Sequence, residues 1–456
     1  MSDTVADTVS DTINEPARRV PVIAEAAVVV LGGGPAGIAA ATAAARAGAT
    51  TLLVERYGFL GGMGTAAGVT NFCGLFANVR GDIRRVVHGV ADDLLARIAA
   101  LDGLNEPHSI FGKTKAQAYD MAAYKCAADD LVLASGAKLL FHALAAGAAM
   151  KSDALIAALL IETKSGRGAI RGQLFIDASG DGDLAAWAGA PFEKGDADGH
   201  LLYPTLMFRV NNVDPDKAKN AMHDIPRLMQ EAQANGDFSF PRMGAIVRPM
   251  KNPAEWRANI TQIKNADGQA MDGTDAAQFS AGEVEGRRQI RDYIKFLRAR
   301  VPGFAASYVL DIATQVGIRE TRRVIGDYAL CGEDVIACRD FSDSIGVNGW
   351  PLERHVAGDV TWGWQPEGSR GFNQLPYRMI VPKNIDNLFV AGRCASMTQE
   401  GQSAARVSGA CFVMGEAAGL AAAMALQAGT TPRALNVAAL QAALERNGVW
   451  LGRDAD

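Results

Sequence analysis

This chain of 456 residues lacks a charge excess of the kind that marks a binder of nucleic acid. Lys and Arg number 45 against 50 Asp and Glu, for a formal net charge of −5. With an isoelectric point near 5.8, no basic field is available for nucleic acid or an anionic lipid surface. Cysteine is scarce too: Cys73, Cys126, Cys331, Cys338, Cys394 and Cys411 form no CxxC pair. That spacing excludes a disulfide framework and predicts reduced, mostly buried thiols in a cytoplasmic protein. The opening MSDTVADTVSDTINEPARR has no apolar core of a signal peptide, and residues 1–23 are expected to be a disordered tail. Long apolar runs are also missing. Ala26–Gly48 is broken by GGGPAG, and Cys411–Ala428 carries Glu416 and reads as a buried helix, so no membrane span is expected.

What the chain does have is glycine, 49 residues of 456, more than the usual roughly 7%. The glycines cluster in short turns beside apolar runs. Gly32, Gly34 and Gly37 form G-x-G-x-x-G directly after the apolar run Ala27–Leu31, and an alanine-rich helical pattern follows. The first glycine permits the turn and the second admits a pyrophosphate to backbone N–H groups. The third lets helix and strand pack closely, while the helix N-terminus adds partial positive charge. Thr51–Val54 is a second β-rich run that ends at Glu55, close to the roughly 20-residue spacing of an acid that bonds ribose hydroxyls. A carboxylate there disfavours a 2′-phosphate, leaving FAD or NAD.

Three features favour the flavin. RYGFLGGMGTAAG follows Glu55 at once, and its paired Gly61 and Gly62 let the chain run along an extended cofactor. LFIDASGDGD is a strand ending in a small-residue turn. It imitates a calcium loop, but position twelve is Ala188 instead of a bidentate Glu, so no metal is assigned. Near the far end, the run Leu388–Ala391 meets Gly392, and a small-residue helix is expected from about Val407, its N-terminus aimed at a flavin ring.

With these phrases in hand, VVVLGGGPAGIAAATAAARAG, LLVERYGFLGGMGT, FIDASGDGDLAAWAGAPFE, GIRETRRVIGDYAL and NLFVAGRCAS, the chain resembles the bacterial FAD-dependent oxidoreductase family related to the glutathione-reductase and fumarate-reductase flavoproteins. The resemblance extends from about residue 20 to residue 427. It implies an α/β fold: a Rossmann-like FAD-binding domain, a parallel sheet with helices on both faces, carrying an inserted α+β substrate or cap domain. The expected FAD-binding pieces are 24–80, 115–200 and 375–430; the cap is expected at 81–114 and 201–374, and residues 431–456 as a C-terminal helix and tail. Candidate FAD contacts are Gly32, Gly34, Pro35, Ala36, Gly37, Glu55, Arg56, Gly61, Gly62, Met63, Ser179, Gly180, Asp181, Gly392 and Arg393. Histidyl-flavin relatives carry a His just upstream of the paired glycines. Here Tyr57-Gly58-Phe59-Leu60 stands there, so FAD is expected to be noncovalent.

Candidates for the chemistry are fewer. In the family, a His in the matching P-x-x-x-H phrase is a proton carrier near the flavin, which points to His355; a structural histidine is the alternative. Many relatives have a His–Glu pair after the AGR turn, where this chain reads Gln399-Glu400. Gln399 cannot act as a base, so His355 or Glu400 takes that role, or Glu400 merely caps a helix. Trp362 and Trp364, two apart, share one face of a strand and with Trp350 either line a pocket for a ring-shaped molecule or belong to the core. Arg319 and Arg322 flank Glu320 and either orient a substrate carboxylate or pair with acids between domains.

The resulting expectation is a dehydrogenase or reductase passing hydride between a small organic substrate and flavin N5. No second G-x-G-x-x-G follows a strand, so the electron acceptor stays open among a protein, a quinone and oxygen. The alternative is an FAD monooxygenase using NAD(P)H and O2, and after it a non-catalytic flavin redox sensor or subunit. A homo-oligomer is a further open partner assignment.

Overall fold

The computed structural model describes residues 13 and 15–453. Most of the expected tail, residues 1–12 and 14, lies outside the described residues. Its last two positions, Val22 and Ile23, already belong to the first strand.

The chain first builds β1 (Val22–Leu31), α1 (Pro35–Arg46) and β2 (Thr51–Val54). Next come α2 (Val90–Ala100), α3 (Met121–Ala134) and β3 (Lys138–Leu140), then β4 (Leu144–Ser152), β5 (Leu155–Thr163) and β6 (Gly166–Asp177). β3, β2, β1 and β6 pair in that order and run parallel. β6 is long enough to serve two neighbours. Its amino half pairs antiparallel with β5, and its carboxyl end takes a late parallel strand, Leu388–Val390. Val28, Val29 and Val30 are fully buried, as a central parallel strand covered on both faces requires.

The late helix Ser408–Ala428 is long and apolar enough to cross a bilayer, but 89% of its apolar window is buried inside the fold. It lies on α1. A Cβ on Gly415 or Gly419, one helical turn apart, would collide with the carbonyl oxygens of Ala36 and Ala40. Two backbones therefore meet where small residues allow it, and the chain's two ends join at one sheet.

The same helix buries Glu416, whose carboxylate accepts from Val90 N (2.9 Å) at the start of α2. Burial raises its pKa from 4.5 to about 8, helped by Asp93 and Asp92 and opposed by the Val90 bond and Arg46. A carboxyl whose folded pKa is raised takes up a proton that the unfolded chain releases. Its contribution is therefore complete below about pH 4.5 and is lost as pH rises to about 8. Glu416→Gln is expected to remove roughly a few kcal/mol of that slope. Melting temperatures of both proteins at about pH 5 and about pH 9 test this, and parallel curves would refute it.

A second hydrophobic core is built from residues 206–318. It contains β7 (Phe208–Asn211), α4 (Ala221–Ala234), β8 (Ile246–Pro249), β9 (Trp256–Asn259), α5 (Ala276–Arg300) and β10 (Tyr308–Ile312). The strands pair antiparallel in the order β8-β9-β7-β10. Phe208, Val210, Val247, Trp256 and Ala258 point into this core with Ile225, Met229, Phe296 and Leu297 of the helices. The strands' alternation therefore turns Arg209, Arg248, Arg257 and Asn259 the other way.

This second core is smaller than the 81–114 plus 201–374 expected for a cap. Val90, Leu94, Leu95 and Ile98 of α2 and Val324, Leu330, Ile345 and Val347 all lie in the first core. The apolar stripe of α2 is covered by α1, α3 and the Ser408–Ala428 helix, while Asp102 and His108 beyond it reach the second unit. There Lys251 donates to the Asp102 carbonyl (2.7 Å) and His108 meets Arg248.

Candidate active site

The carboxyl ends of β1, β2 and β6 converge at the switch point of the parallel sheet, the place where open α/β sheets take ligands. Gly32 turns there at φ +96, and a Cβ on it would stand 2.5 Å from the Ala178 carbonyl oxygen. α1 then opens on Gly34 and Pro35, with no capping side chain and no acid in its first turn. Ala36 and Gly37 follow, and a Cβ on Gly37 would fall on the Gly32 carbonyl oxygen. Glu55 is buried, taking Gly33 N (2.6 Å) on one oxygen and Tyr57 N (3.0 Å) on the other.

The loop that follows lies on the first turn. Gly61 (φ +110) donates to the Gly33 carbonyl (2.8 Å), and a Cβ on Gly62 would stand 2.7 Å from Gly34 Cα. Gly392 (φ +89) brings the strand Leu388–Val390 to the start of α1, its missing Cβ 3.1 Å from Ala36 Cβ. At the far end of the loop, Cys73 N donates to Ser408 Oγ (3.1 Å) at the N-terminus of the Ser408–Ala428 helix, which also has no acid in its first turn.

An uncapped helix start among side-chain-free turns, then a glycine loop leading to a second uncapped helix start, fits a dinucleotide laid out along its length. A family model described as FAD dependent oxidoreductase matches residues 27–444.

The chain belongs to that family.

No match was found among curated proteins. Among solved structures, the oxidoreductase is similar to a geranylgeranyl bacteriochlorophyll reductase-like protein of Thermoplasma acidophilum. Identity is 14% over 94% of this chain and 84% of that one, with a TM-score of 0.48. It is also similar to a p-nitrophenol 4-monooxygenase of Pseudomonas putida, at 11% over 95% and 90% with a TM-score of 0.45. An anhydrotetracycline hydroxylase of Streptomyces rimosus gives 12% over 92% of this chain and 65% of that one, with a TM-score of 0.46.

Several expected cofactor side chains are engaged within the protein. Arg393 donates to the Gly180 carbonyl (2.9 Å), Asp181 Oδ1 (2.7 Å) and the Ile318 carbonyl (2.9 Å), clasping the small-residue turn to the cap. Ser179 Oγ donates to Asp177 (2.6 Å), a fully buried acid that also takes Ser179 N and Ala185 N. Asp177, not a ligand, shapes that turn. Arg56 reaches Gln315 Oε1 (2.6 Å), which Tyr57 also contacts, and Gln315 Nε2 lies 3.7 Å from Met63 Sδ.

The catalytic candidates separate. His355 lies on β11 (Leu352–Val356), paired with β12 (Asp359–Gly363). Strand alternation puts Glu353 beside His355 on one face and Arg354 on the other. His355 Nε2 bonds Glu353 Oε1 (3.1 Å), and Glu353 Oε2 accepts from Trp350 Nε1 (2.9 Å). Burial pushes His355 well below the usual histidine value, with the positive charge of Arg319 adding to this and Glu353 opposing it. Glu353 is lowered: burial acts upward, and is outweighed by the bonds from His355 and Trp350 and by the charge of Arg406. The pair rests as carboxylate and neutral imidazole.

Glu400, by contrast, pairs with Arg354 (2.9 Å) on the opposite side of that strand, beside a groove of about 860 Å³. It sits in the first turn of the helix Gln399–Ala405, where Thr398 caps (3.2 Å to Gly401 N). Gln399 holds the His200 carbonyl (2.7 Å) and Glu320 (2.8 Å). Glu400 and Gln399 thus do not join His355, because the helix start that carries them faces the back of its strand.

Arg319 and Arg322 are corrected in part. Arg322 is taken by Asp183 (2.8 Å) and the Asp181 carbonyl (3.1 Å), and it leans over the Phe192 ring. Arg319 is buried on the Tyr203 carbonyl (2.8 Å) and Thr205 Oγ1 (2.7 Å). The tryptophans do meet: Trp362 stacks on Trp364 at 5.4 Å, Trp350 edges Trp362 at 6.0 Å, and Phe111 closes on Trp362 and Trp364.

Sequence reasoning missed Glu353, Arg242, Arg248, Arg257, Arg406 and His108. Glu353 alone had a local signal, two residues before His355 on a strand. An exposed turn holds Asp196, Asp198 and His200 with ligand atoms within 4.8 Å of one another, and nothing else points a metal at it.

Proposed function

We propose that this FAD dependent oxidoreductase is a dehydrogenase or reductase for a small, ring-containing organic substrate, with His355 as the proton carrier and Glu353 as its positioning residue. The observation that carries the reading is the pairing of buried His355 with half-buried Glu353 beside Trp350. Glu353 accepts the Nε2 proton and so leaves Nδ1 as the basic nitrogen. That tautomer suits a base that removes an alcohol or amine proton, and the Glu353 charge then stabilises the imidazolium. When bound, FAD supplies the hydride acceptor at N5. Thr70, Asn71 and Cys73 continue from the Gly61–Gly62 turn to the second uncapped helix start, so substrate held by the cap would lie over this loop. Trp362 and Trp364 offer a flat apolar face near Glu353, the cross-strand partner of Trp362. The electron acceptor is proposed to be a separate molecule.

Anaerobic mixing of the yellow holoenzyme with a panel of alcohols, amines and hydroxy acids tests the reading. One class is expected to bleach the flavin without NAD(P)H. Bleaching by NADPH only in the presence of an aromatic compound would instead favour the monooxygenase.

A further inference from the structure

The side of the cap sheet that faces away from its core is crowded with positive charge. Arg248 and Arg257 are cross-strand partners on β8 and β9, and Asn259 shares their face two residues on. Asn259 Oδ1 accepts from Arg242 Nη1 (2.9 Å) and from Arg319 Nη2 (3.4 Å), so two guanidiniums share one neutral acceptor. Arg257 Nε holds Thr70 Oγ1 (3.1 Å) in the loop after the paired glycines, and Arg406 Nη2 holds the Glu353 carbonyl (3.0 Å). Arg242, Arg248, Arg257 and Arg319 are all buried. The one carboxylate among the groups acting on Arg319 is Glu353, while Arg242, Arg406 and Arg257 push against it.

Buried guanidinium groups with spare donors are costly, because each N–H loses water without gaining a partner. Arg242 is 1% exposed, yet its Nε and Nη2 have no partner. Arg257 Nη1 and Arg406 Nε are likewise unpaired. Nε and Nη2 form the side-on edge of a guanidinium, the edge that takes both oxygens of a carboxylate. Arg257 shows the strain electrostatically: burial, with Arg248 and Arg242 adding to it, lowers its pKa to about 9, and burial lowers Arg242 to about 10. Both remain charged at neutral pH.

We propose that Arg242, Arg257 and Arg406 are the receptor for the carboxylate of an anionic substrate, the carboxylate lying on the unpaired Nε–Nη2 edge of Arg242. This rests on the hydride-transfer reading of the same site and adds the chemical class. The nucleotide's phosphates are an insufficient partner for these charges. Their place is the start of α1 at Gly34, whereas Arg257 stands on the cap sheet at Thr70, Arg242 just ahead of β8, and Arg406 at the end of the helix Gln399–Ala405. An anion seated there also offsets the charge of Arg319 and Arg242 on His355 and so raises its basicity, while burial, the larger cause of the lowered value, continues to act.

The test uses the flavin as reporter. Holoenzyme is titrated with acetate, malonate, succinate and benzoate at constant ionic strength in sodium chloride, with succinamide as the uncharged control. At least one carboxylate is expected to shift the flavin absorption saturably, with succinamide silent. Arg242→Gln and Arg257→Gln are expected to weaken that binding by roughly 10- to 100-fold with flavin content unchanged. Arg242→Lys, which keeps charge and loses the fork, should not restore it fully. If Arg242→Gln does not fold, Arg406→Gln gives the same reading from the flavin-side helix. The proposal is overturned if no carboxylate perturbs the flavin, if the variants bind as wild type does, or if they lose flavin instead, which would make the arginines nucleotide ligands. Should neutral compounds bleach the flavin while carboxylates stay silent, the receptor is wrong and the oxidoreductase reading stands. Should carboxylates bind tightly while no compound bleaches it, the converse holds.

Discussion

Gly37→Val is expected to give a colourless and poorly folded chain. A Cβ at Gly37 lands on the Gly32 carbonyl oxygen, and that carbonyl belongs to a turn already pinned by Gly32 N donating to Val54 O (2.8 Å). Neither atom is the end of a flexible side chain, so α1 must move off the strand. Moving α1 also separates it from Gly415 and Gly419, whose lack of side chains lets the late helix lie on Ala36 and Ala40. The expected loss exceeds the roughly 1–3 kcal/mol of ordinary overpacking, because backbone is what collides. Gly34→Ala is the control. Gly34 has φ −73, which any residue adopts, and a Cβ there meets nothing closer than Gly62 Cα at 3.7 Å. That variant should fold and melt normally as apoprotein while holding FAD more weakly, since its methyl group enters the space kept for phosphate. Flavin released on boiling and thermal melts of both variants decide the matter. A yellow Gly37→Val protein with wild-type melting would refute this account of the turn.

His355→Gln should retain its flavin and lose catalysis. The side chain touches Glu353 and none of the dinucleotide turns, so colour and melting temperature are expected to stay near wild type. With the proton acceptor gone, anaerobic flavin reduction should slow by roughly 10²- to 10⁴-fold. Glu353→Gln should slow it less and move the pH profile instead. Without that carboxylate the imidazolium loses its counter-charge while Arg319 and Arg242 remain, so the kinetic pKa of the base falls further. Wild-type reduction by His355→Gln would remove the histidine from the chemistry. An unchanged pH profile in Glu353→Gln would leave Glu353 a packing residue.

The FAD half of the molecule is largely legible in the amino-acid sequence, because its signals are local. VVVLGGGPAG is strand, turn and helix start within ten residues, and Glu55 ends the next strand. Locality says less at Ser179, Gly180, Asp181 and Arg393. Each stands near a cofactor turn, yet each is engaged by its neighbours, a matter of side-chain direction that spacing does not carry. Arg322 is likewise engaged, by Asp183, a partner 139 residues away in the chain.

By itself, the sequence determined the dinucleotide turn, the family and the meeting of the chain's two ends, since glycine spacing and apolar periodicity act over one or two elements. Only the tertiary structure decided the rest. Arg242, Arg257, Arg319 and Arg406 come from separate stretches of chain, and apart from Arg319 beside Glu320 none looks unusual where it stands in the sequence. They become a site because folding removes most of their water together and leaves Arg242, Arg257 and Arg406 with N–H groups that find no partner. Burial and missing counter-charge are properties of a finished interior, and no pattern of neighbouring residues encodes them.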